Sequence, residues 1–510
     1  MSRFASTLAV TLFLLFLVFY GACISGIVLK EPDICFLLAS GRWIVEHGQV
    51  MHSDPFSYTT GFAHQPYVIE KWLADVIFFA SWKWLSAAGM LVVTACIMAF
   101  TFVVMPFRIL ALQGIKGWQS FAIVFLSVLV SFSRLTVRPE IFSYLFIAIY
   151  LELFLRLSAR AGPGTTPKLW WQGIASFAGI MVLWCNMHTL FIFAPMLLAA
   201  YSLCMAGEKI FWLKDEKIDW TAPLALILCL IASLANPYGA NLWPSLSSMF
   251  GAYTATNNEE KPLTWASFLV PVYYPFFLLA LISAICLVRK GLSKPLKRGQ
   301  LFFRLLIAAG IVGGIRTARS GPIADLFMVS GLASILDSSG RPSGSPSPMS
   351  QALARFCDPA SLRWSTTFVA ATAIGSYLLA SILPPEFPQG SAAFTPPLAA
   401  IEYIGKEKPK GHMLNDPHFG TVMMWQLYPA PPVFIDVRYN LYGNVFNDYW
   451  TMVLCRNGWE NLMQKYGIEW IFLPPDLALV KKLENDPGWT VRFRDKSSVI
   501  ISRSGKEKSD

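Results

Sequence analysis

Long apolar stretches separated by short polar turns run through the first three quarters of the chain. Apolar runs of about 18 residues or more, the length that a helix needs to cross the roughly 30 Å hydrocarbon core of a bilayer, recur there. We therefore predict a polytopic α-helical membrane protein with about eleven spans. They lie near residues 5–29, 85–107, 119–134, 140–157, 173–187, 189–206, 221–236, 271–289, 301–315, 320–337 and 364–383.

Two of the apolar stretches need a closer interpretation. Residues 5–29 are too long for the apolar region of a secretory signal and lack a small-x-small cleavage site, so we predict a retained first span. Residues 68–84 carry Lys71, Asp75 and Lys83. These charges favour a helix that lies in the membrane interface over one that crosses the membrane.

The pattern changes near the carboxyl end of the chain. Residues 1–383 form the predicted transmembrane domain, 384–397 a linker rich in proline, and 398–510 a small soluble α/β domain. Its predicted strands are "HMLND", "PVFIDV", "EWIFLPP", "TVRFRD" and "SVIISR". Its predicted helices cover residues 419–428, 445–466 and 476–485.

Composition and charge support a membrane protein and give its orientation. The 510 residues are 55% hydrophobic and 14% charged, with a net charge of +10. Lys and Arg collect in alternate loops, as expected for loops on the cytoplasmic side. We therefore predict a cytoplasmic N-terminus, with residues 30–84 and the C-terminal domain outside. The surplus of positive charge follows from this bias, so we predict no nucleic-acid partner.

The long first outer loop contains the strongest candidate chemistry. Glu31 and Asp33 follow the first span directly, where a carboxylate can accept a proton from a hydroxyl group while the lipid part of a substrate stays in the bilayer. The alternative is that both acids are solvated residues at the start of a helix, which acids favour through the helix dipole.

The histidines and cysteines of the sequence show no clear pattern of a metal site or of disulfides. His47, His52 and His64 lie in the same loop, but their spacing matches no helical ligand pair. The nine cysteines contain no CxxC pair, so neither a structural zinc site nor a disulfide framework is indicated.

Polar residues gather again at the predicted outer ends of later spans. The arginines there run against the usual bias towards the cytoplasm, and guanidinium groups bind phosphate oxygens bidentately. They are Arg134, Arg138, Arg316 and Arg319. The alternative is that each extends to the interface or pairs with an acid such as Glu140. His188 is either a packed polar residue or a substrate contact. Asp436 and Arg438 follow a predicted strand, but the domain has no glycine-rich phosphate loop.

Six strings in the chain form a recognisable set: "PDICFLLASGRWIVEHGQVMHSDPFSYT", "VIEKWLADVIF", "VRPEIFSYLF", "ANPYG", "PPVFIDVRYNLYG" and "YGIEWIFLPP". They resemble strings in bacterial members of the GT-C superfamily of integral-membrane glycosyltransferases. The resemblance implies that Asp33, with Glu31 beside it, is the essential acid of the first outer loop. It also implies that Arg316 and Arg319, and then Arg138, hold a donor phosphate.

The remaining implied contacts are less direct. Glu70, His64 and His188 are further candidate substrate contacts. The family often has paired acids, and the nearest match here is Glu31-Pro32-Asp33. This departure leaves open which acid is the base and whether a divalent cation binds near the two.

The resemblance implies an enzyme of the bacterial inner membrane. It would move a sugar from a polyprenyl-phosphate donor to an envelope glycan, lipid or protein acceptor at the outer face, with inversion at the anomeric carbon. A flippase for a lipid-linked glycan is one alternative, and it would need paired ionisable residues near the middle of the membrane. A non-catalytic scaffold of an envelope-polysaccharide assembly is another.

Overall fold

The protein is described here from a computed structural model. The structure describes residues 33–62, 67–115, 117–134, 136–159, 167–214, 219–246, 262–291, 296–336, 362–382, 394–429 and 431–504. Two of the predicted site residues, Glu31 and His64, and the predicted first span at 5–29 lie outside these ranges.

The helices and strands are numbered in chain order. The helices of the first three quarters are α1 (Asp33–His47), α2 (Trp72–Ala99), α3 (Met105–Leu112), α4 (Trp118–Ser131), α5 (Glu140–Ala159), α6 (Pro167–Trp184), α7 (Phe193–Phe211), α8 (Thr221–Ala232), α9 (Tyr274–Cys286), α10 (Gln300–Arg316), α11 (Gly321–Leu336) and α12 (Leu362–Ile382). The remaining elements are α13 (Leu398–Glu407), β1 (His412–Asn415), α14 (Pro417–Gln426), α15 (Asn444–Val453), α16 (Trp459–Lys465), β2 (Ile468–Leu473), α17 (Ala478–Glu484), β3 (Trp489–Arg494) and β4 (Val499–Arg503).

The chain forms two compact units. The described residues of the first come from 88–239 and 256–384, and those of the second from 29–87, 240–255 and 385–510. The division falls inside α2, directly after a kink at which Leu85 and Ser86 leave helical geometry. Ser86 has φ +51°, a left-handed conformation that residues other than glycine rarely adopt.

The first unit is a bundle of apolar helices. Among the described residues, five helical segments are long and apolar enough to cross a membrane by length and composition. They are Trp72–Leu112, Glu140–Ala159, Thr189–Phe211, Pro271–Arg289 and Ser365–Ile382, and α4, α6 and α8 contribute shorter apolar stretches. Each predicted span within the described ranges overlaps a helix, and the predicted span at 85–107 is continuous with residues 72–84, which were predicted as an interfacial helix. The total of about eleven stays a prediction.

Glycines let the helices α10 and α11 approach each other closely. A β-carbon added at Gly331 would lie 2.7 Å from the carbonyl oxygen of Phe303, and one added at Gly310 would lie 2.8 Å from that of Ala324. Small residues at such contacts are typical of membrane helices, whose backbones must touch to gain dispersion energy. The pair therefore depends on glycine on both helices.

The second unit is built around a four-stranded sheet. The strand order is β1-β2-β4-β3, with β1 and β2 parallel and the other pairs antiparallel. The crossover from β1 to β2 contains α14, α15 and α16, so it forms a βαβ arrangement. Its buried core includes Leu414, Ile471, Val480 and Ile501. The apolar runs that predicted four of the five strands thus form the sheet.

The fifth predicted strand, at 432–437, is not formed. Its backbone groups bond to side chains and to the 50–60 segment in place of a ladder. Asn415 accepts from the Phe434 amide at 2.7 Å and donates to the Ile435 carbonyl at 2.7 Å, while Val433 donates to Phe56 at 2.8 Å. The prediction was wrong because these side chains satisfy the backbone, a role that an apolar run does not reveal.

The predicted helix at 445–466 is two helices, α15 and α16. Between them Cys455 has φ +49° and Gly458 has φ +87°. Left-handed residues end a helix, because the following amide can no longer bond within it.

Candidate functional site

Asp33, the first candidate acid of the second unit, lies at the start of a helix. It is the first residue of α1 and is half-buried, and the next eight residues are buried. Buried residues of α1 pack against α14, and Gly41 lies so close to the carbonyl group of Asp75 that no side chain fits there. The apolar run after Asp33 therefore anchors the helix and fixes the position of the carboxylate at its start.

A small cavity of about 50 Å³ lies beside Asp33 in the second unit. Its wall includes Asp33, Glu70, Lys71 and Arg438. The two cations lie over the ring of Phe36, with Lys71 Nζ 4.3 Å and Arg438 Cζ 5.4 Å from the ring centre. Two acidic and two basic side chains thus line the same wall of the cavity.

Glu70 is one of the predicted contacts that this cavity gathers. It is buried, and burial raises its pKa, although the positive charge of Lys71 opposes the shift. Sequence reasoning treated Lys71 only as a marker of an interfacial helix. The adjacent acid and base in "VIEKW" were the signal for its place in the cavity wall.

Arg438 organises the ionic network beneath this cavity. We call its members the Arg438 network: Asp54, Tyr67, Asp436, Arg438 and Tyr442. Arg438 donates from Nε and Nη2 to Asp436 at 2.8 and 2.6 Å, from Nη2 to Asp54 at 2.9 Å and from Nη1 to the Tyr67 hydroxyl at 3.0 Å. Tyr442 donates to Asp436 at 2.5 Å. The network joins the first loop to the segment after β1 and α14.

The two carboxylates of the network differ in acidity. Burial raises the pKa of Asp54 to about 6, against the effect of Arg438. Burial also disfavours the ionised form of Asp436, but Arg438 and the hydrogen bond from Tyr442 hold its pKa below the usual value. Asp54 therefore takes up a proton first, and Asp436 is the permanent counterion of Arg438.

His418 is a site residue that sequence reasoning missed. It lies near the start of α14, with Nδ1 3.6 Å from an Asp416 carboxylate oxygen. Burial opposes its positive charge, yet Asp416 and Asp33 together raise its pKa. Sequence reasoning could not find the interaction between His418 and Asp33, because the two residues are far apart along the chain.

The first unit brings most of the predicted polar residues of the span ends together. We call the group the Glu140 cluster: Arg134, Arg138, Glu140, His188 and Arg319. Arg319 Nη2 lies 3.3 Å from Glu140 Oε2, and Arg134, Arg138 and His188 also act on this carboxylate electrostatically. Glu140 is buried at the first position of α5. Three guanidinium groups thus act on one buried carboxylate.

His188 has a fixed orientation within the cluster. Its Nδ1 lies 3.0 Å from the Ser143 hydroxyl and accepts from the Leu190 amide at 3.3 Å. Trp184 donates from its ring nitrogen to the same hydroxyl at 2.8 Å. Because Nδ1 accepts a bond from a backbone amide, a neutral His188 carries its proton on Nε2.

Arg316 lies apart from these contacts. It is the last residue of α10 and is exposed, and within the described part of the chain it takes part in no ion pair. Of the two late arginines, only Arg319 is placed against Glu140. The sequence could not separate them, since both lie in "GIRTARSG".

No metal-binding group is evident in the part of the chain that the structure describes. Within those residues, no three His, Cys, Asp or Glu side chains are arranged to hold a metal ion. Because Glu31 lies outside them, the predicted acid pair Glu31 and Asp33 is not covered by this statement.

Comparison with known proteins identifies the fold. No family model and no curated protein matches the sequence. Among solved structures, ArnT from Cupriavidus metallidurans bound to undecaprenyl phosphate matches with a TM-score of 0.54 and 13% identity, over 97% of this chain and 98% of that chain. The archaeal oligosaccharyltransferase AglB from Archaeoglobus fulgidus, in complex with an inhibitory peptide and a dolichol-phosphate, matches with a TM-score of 0.51 and 11% identity, over 90% of this chain and 69% of that chain. The chain therefore has the GT-C fold, as the sequence resemblance predicted.

Proposed function

We propose that the protein is a membrane glycosyltransferase that takes a sugar from a polyprenyl-phosphate donor and passes it, with inversion, to an envelope glycan, lipid or protein. The observation that carries this proposal is the match over nearly the full length of both chains to ArnT, whose solved structure holds undecaprenyl phosphate. AglB, the second match, holds a dolichol-phosphate. Both ligands are polyprenyl phosphates, and a shared fold favours a shared class of donor.

The Glu140 cluster supports the phosphate half of the reaction. Its arginines exceed its one carboxylate, and guanidinium groups bind phosphate oxygens with two parallel hydrogen bonds. When the bond between the anomeric carbon and the phosphate oxygen breaks, negative charge grows on the leaving phosphate. Arginines fixed in advance by Glu140 would stabilise that charge without reorganisation. We assign this role to Arg319 and Arg138, and retain exposed Arg316 as an outer contact.

Asp33 supports the proton-transfer half of the reaction. In the proposed step the acceptor hydroxyl oxygen attacks the anomeric carbon, its proton passes to the Asp33 carboxylate, and polyprenyl phosphate departs. The half-buried position at a helix start leaves one side of the carboxylate open to a substrate. Glu31 is a second acid for this role, and a divalent cation beside Glu31 and Asp33 is part of the proposal.

The remaining predicted contacts are assigned to substrate binding. They are Glu70, His64 and His188. We place the protein in the bacterial inner membrane, with its N-terminus in the cytoplasm and its C-terminal domain outside. The donor already carries the activated sugar, so the outer face needs no ATP.

A flippase for a lipid-linked glycan is the second candidate, and one observation favours it. Asp325 is buried in α11 and accepts from the Ser127 hydroxyl at 2.6 Å, so the described helices do contain a buried ionisable group. Ionisable residues inside a membrane often serve transport. Movement of labelled lipid across vesicles without any sugar transfer would favour this function over the enzyme.

The phosphate role can be tested with two neighbouring arginines. We expect Arg319→Gln to lower kcat/KM for the polyprenyl-phosphate sugar by about tenfold or more, because a charge-assisted hydrogen bond contributes about 1.5–3 kcal/mol. Arg316→Gln should have a smaller effect. The measurement is steady-state transfer in proteoliposomes, with Lys209→Gln as a control for the loss of one positive charge. An unchanged kcat/KM in Arg319→Gln would remove Arg319 from the site.

A further inference from the structure

A second cavity lies in the first unit, away from every residue assigned above. Its volume is about 810 Å³, within the range of pockets that hold small molecules. The wall is formed by α3, α5 and α6, together with Thr221 at the start of α8. Gln172, Ala175 and Ser176 on α6 are exposed, so the cavity opens at the surface of the unit.

Most of the wall is apolar, but a charged triad lies within it. Glu152 accepts from Arg108 Nε and Nη2 at 2.9 and 2.7 Å, and from Arg156 Nε and Nη2 at 2.9 and 2.5 Å. Glu152 is buried, whereas the side chains of Arg108 and Arg156 are 27% and 41% exposed. The Nη1 donors of both arginines take no part in these bonds. Counted over the described residues, the triad therefore carries one surplus positive charge.

The backbone beside the triad departs from regular helix. Residues Phe100–Val104 form a π-helical turn, and Phe100 lines the cavity. Such turns cost hydrogen-bond geometry and are often found at functional sites. Here the turn directly precedes α3, which carries Arg108.

We propose that this cavity binds one anionic phospholipid whose headgroup is a singly charged phosphodiester, such as phosphatidylglycerol. One surplus positive charge matches one negative charge, and Arg108 and Arg156 would share the phosphate oxygens. The apolar side chains Met105, Ile149 and Leu157 would contact an acyl chain. The proposal does not depend on the proposed function, because none of these residues belongs to the donor or acceptor roles.

The predicted orientation agrees with this ligand. Arg108 on α3 and Arg156 near the end of α5 lie towards the side of the membrane that the charge bias assigns to the cytoplasm, where anionic lipids give the membrane a negative surface. The proposed sugar transfer takes place at the opposite face. A polyprenyl-phosphate sugar is also a phosphodiester, so the test must distinguish it from a membrane phospholipid.

Native mass spectrometry of the full chain in detergent tests the proposal. We expect one phosphatidylglycerol to remain bound at a level at least tenfold above that of phosphatidylcholine with the same acyl chains. Arg156→Gln, which keeps the Arg108–Glu152 pair and leaves the triad neutral, should abolish this preference. Lys209→Gln, which removes a charge that does not line the cavity, should preserve it.

A second variant tests the cavity itself. Ala175→Trp fills the opening without touching the triad, so it should reduce binding of both lipids. Equal binding of the two lipids by the wild type, or an unchanged preference in Arg156→Gln, would overturn the proposal. Displacement of phosphatidylglycerol by an equimolar polyprenyl-phosphate sugar would also overturn it, because the site would then belong to the donor.

Discussion

Arg438 is the residue on which the buried charge of the second unit depends. Its side chain is only 5% exposed, yet it contacts two carboxylates and a tyrosine hydroxyl. A buried ion pair gains little net stability, but removing one partner leaves a charge that nothing compensates, at a cost of about 3–5 kcal/mol. The network therefore determines where the first loop contacts the C-terminal segment. It also determines the position of Arg438 in the cavity wall beside Asp33.

The acidity of Asp54 predicts a specific pH dependence of stability. Its pKa in the folded protein is about 6, above the value of about 3.9 in an unfolded chain. The folded state thus keeps this proton longer than the unfolded state, so its ionisation lowers stability as the pH rises from about 4 to about 6. Asp54→Asn removes that loss.

The measurement is the melting temperature of wild type and Asp54→Asn in detergent across this pH range. We expect the difference, variant minus wild type, to increase from pH 4 to pH 6. Glu460→Gln, a change at an exposed side chain, should follow the wild type. A difference that stays constant over the range would contradict the raised pKa of Asp54.

At the scale of elements, the helix pair α10 and α11 shows how small residues determine packing in the first unit. Ile307 and the Phe303 carbonyl lie directly against Gly331, whereas Gly375 in α12 has open space where a β-carbon would stand. Replacement of glycine by alanine should therefore have opposite effects on stability at these two helical positions.

We expect Gly331→Ala to destabilise the protein by about 1–3 kcal/mol, because α10 and α11 must move apart to admit the methyl group. Gly375→Ala should be neutral or stabilise by up to about 1 kcal/mol, because alanine favours helix over glycine. Thermal unfolding of both variants in one detergent measures the contrast. Equal melting temperatures for the two variants would show that the helices do not pack as described.

The sequence predicts elements better than it predicts their contacts. Apolar length was sufficient to locate the helices from α2 to α12 and four of the strands. It failed at 432–437, where Asn415 and the 50–60 segment bond the backbone, and at 455–458, where left-handed residues break a helix. Both predictions failed because hydrophobic periodicity contains no information about tertiary hydrogen bonds or about local backbone geometry.

In the candidate site, too, the sequence predicts the positions of residues better than it predicts their contacts. The positions of Asp33 and of the arginines at span ends could be predicted because their charge is unusual beside apolar runs. The partners of these residues could not be predicted. Arg438 contacts Asp54, which is 384 residues away along the sequence, and Arg319 rather than Arg316 contacts Glu140. Choosing between two arginines three residues apart requires the turn between α10 and α11.

At the scale of the whole molecule, sugar transfer by Asp33 at the outer face requires the predicted orientation in the membrane. Reporter fusions can test it at three places in the full chain. Alkaline phosphatase inserted after Gly61, or fused after Asp510, should be active because both positions are predicted to lie outside. Residues 338–350 lie between the predicted spans at 320–337 and 364–383, and the alternation of spans from a cytoplasmic N-terminus predicts that this linker is cytoplasmic. The same enzyme inserted there should therefore be inactive, and a fluorescent protein there should fluoresce. The reverse pattern would exclude transfer at the outer face by Asp33.

The central claim is that the chain transfers a sugar from a polyprenyl-phosphate donor and that Asp33 takes the acceptor proton. The direct measurement is transfer of labelled sugar from such a donor by purified protein in proteoliposomes, for wild type and for Asp33→Asn. General-base catalysis contributes about 10²–10⁴-fold. We predict transfer with inversion by the wild type and a loss of that size in kcat for the variant, with an unchanged melting temperature. A wild type that transfers no sugar, or an Asp33→Asn variant as active as the wild type, would contradict the account.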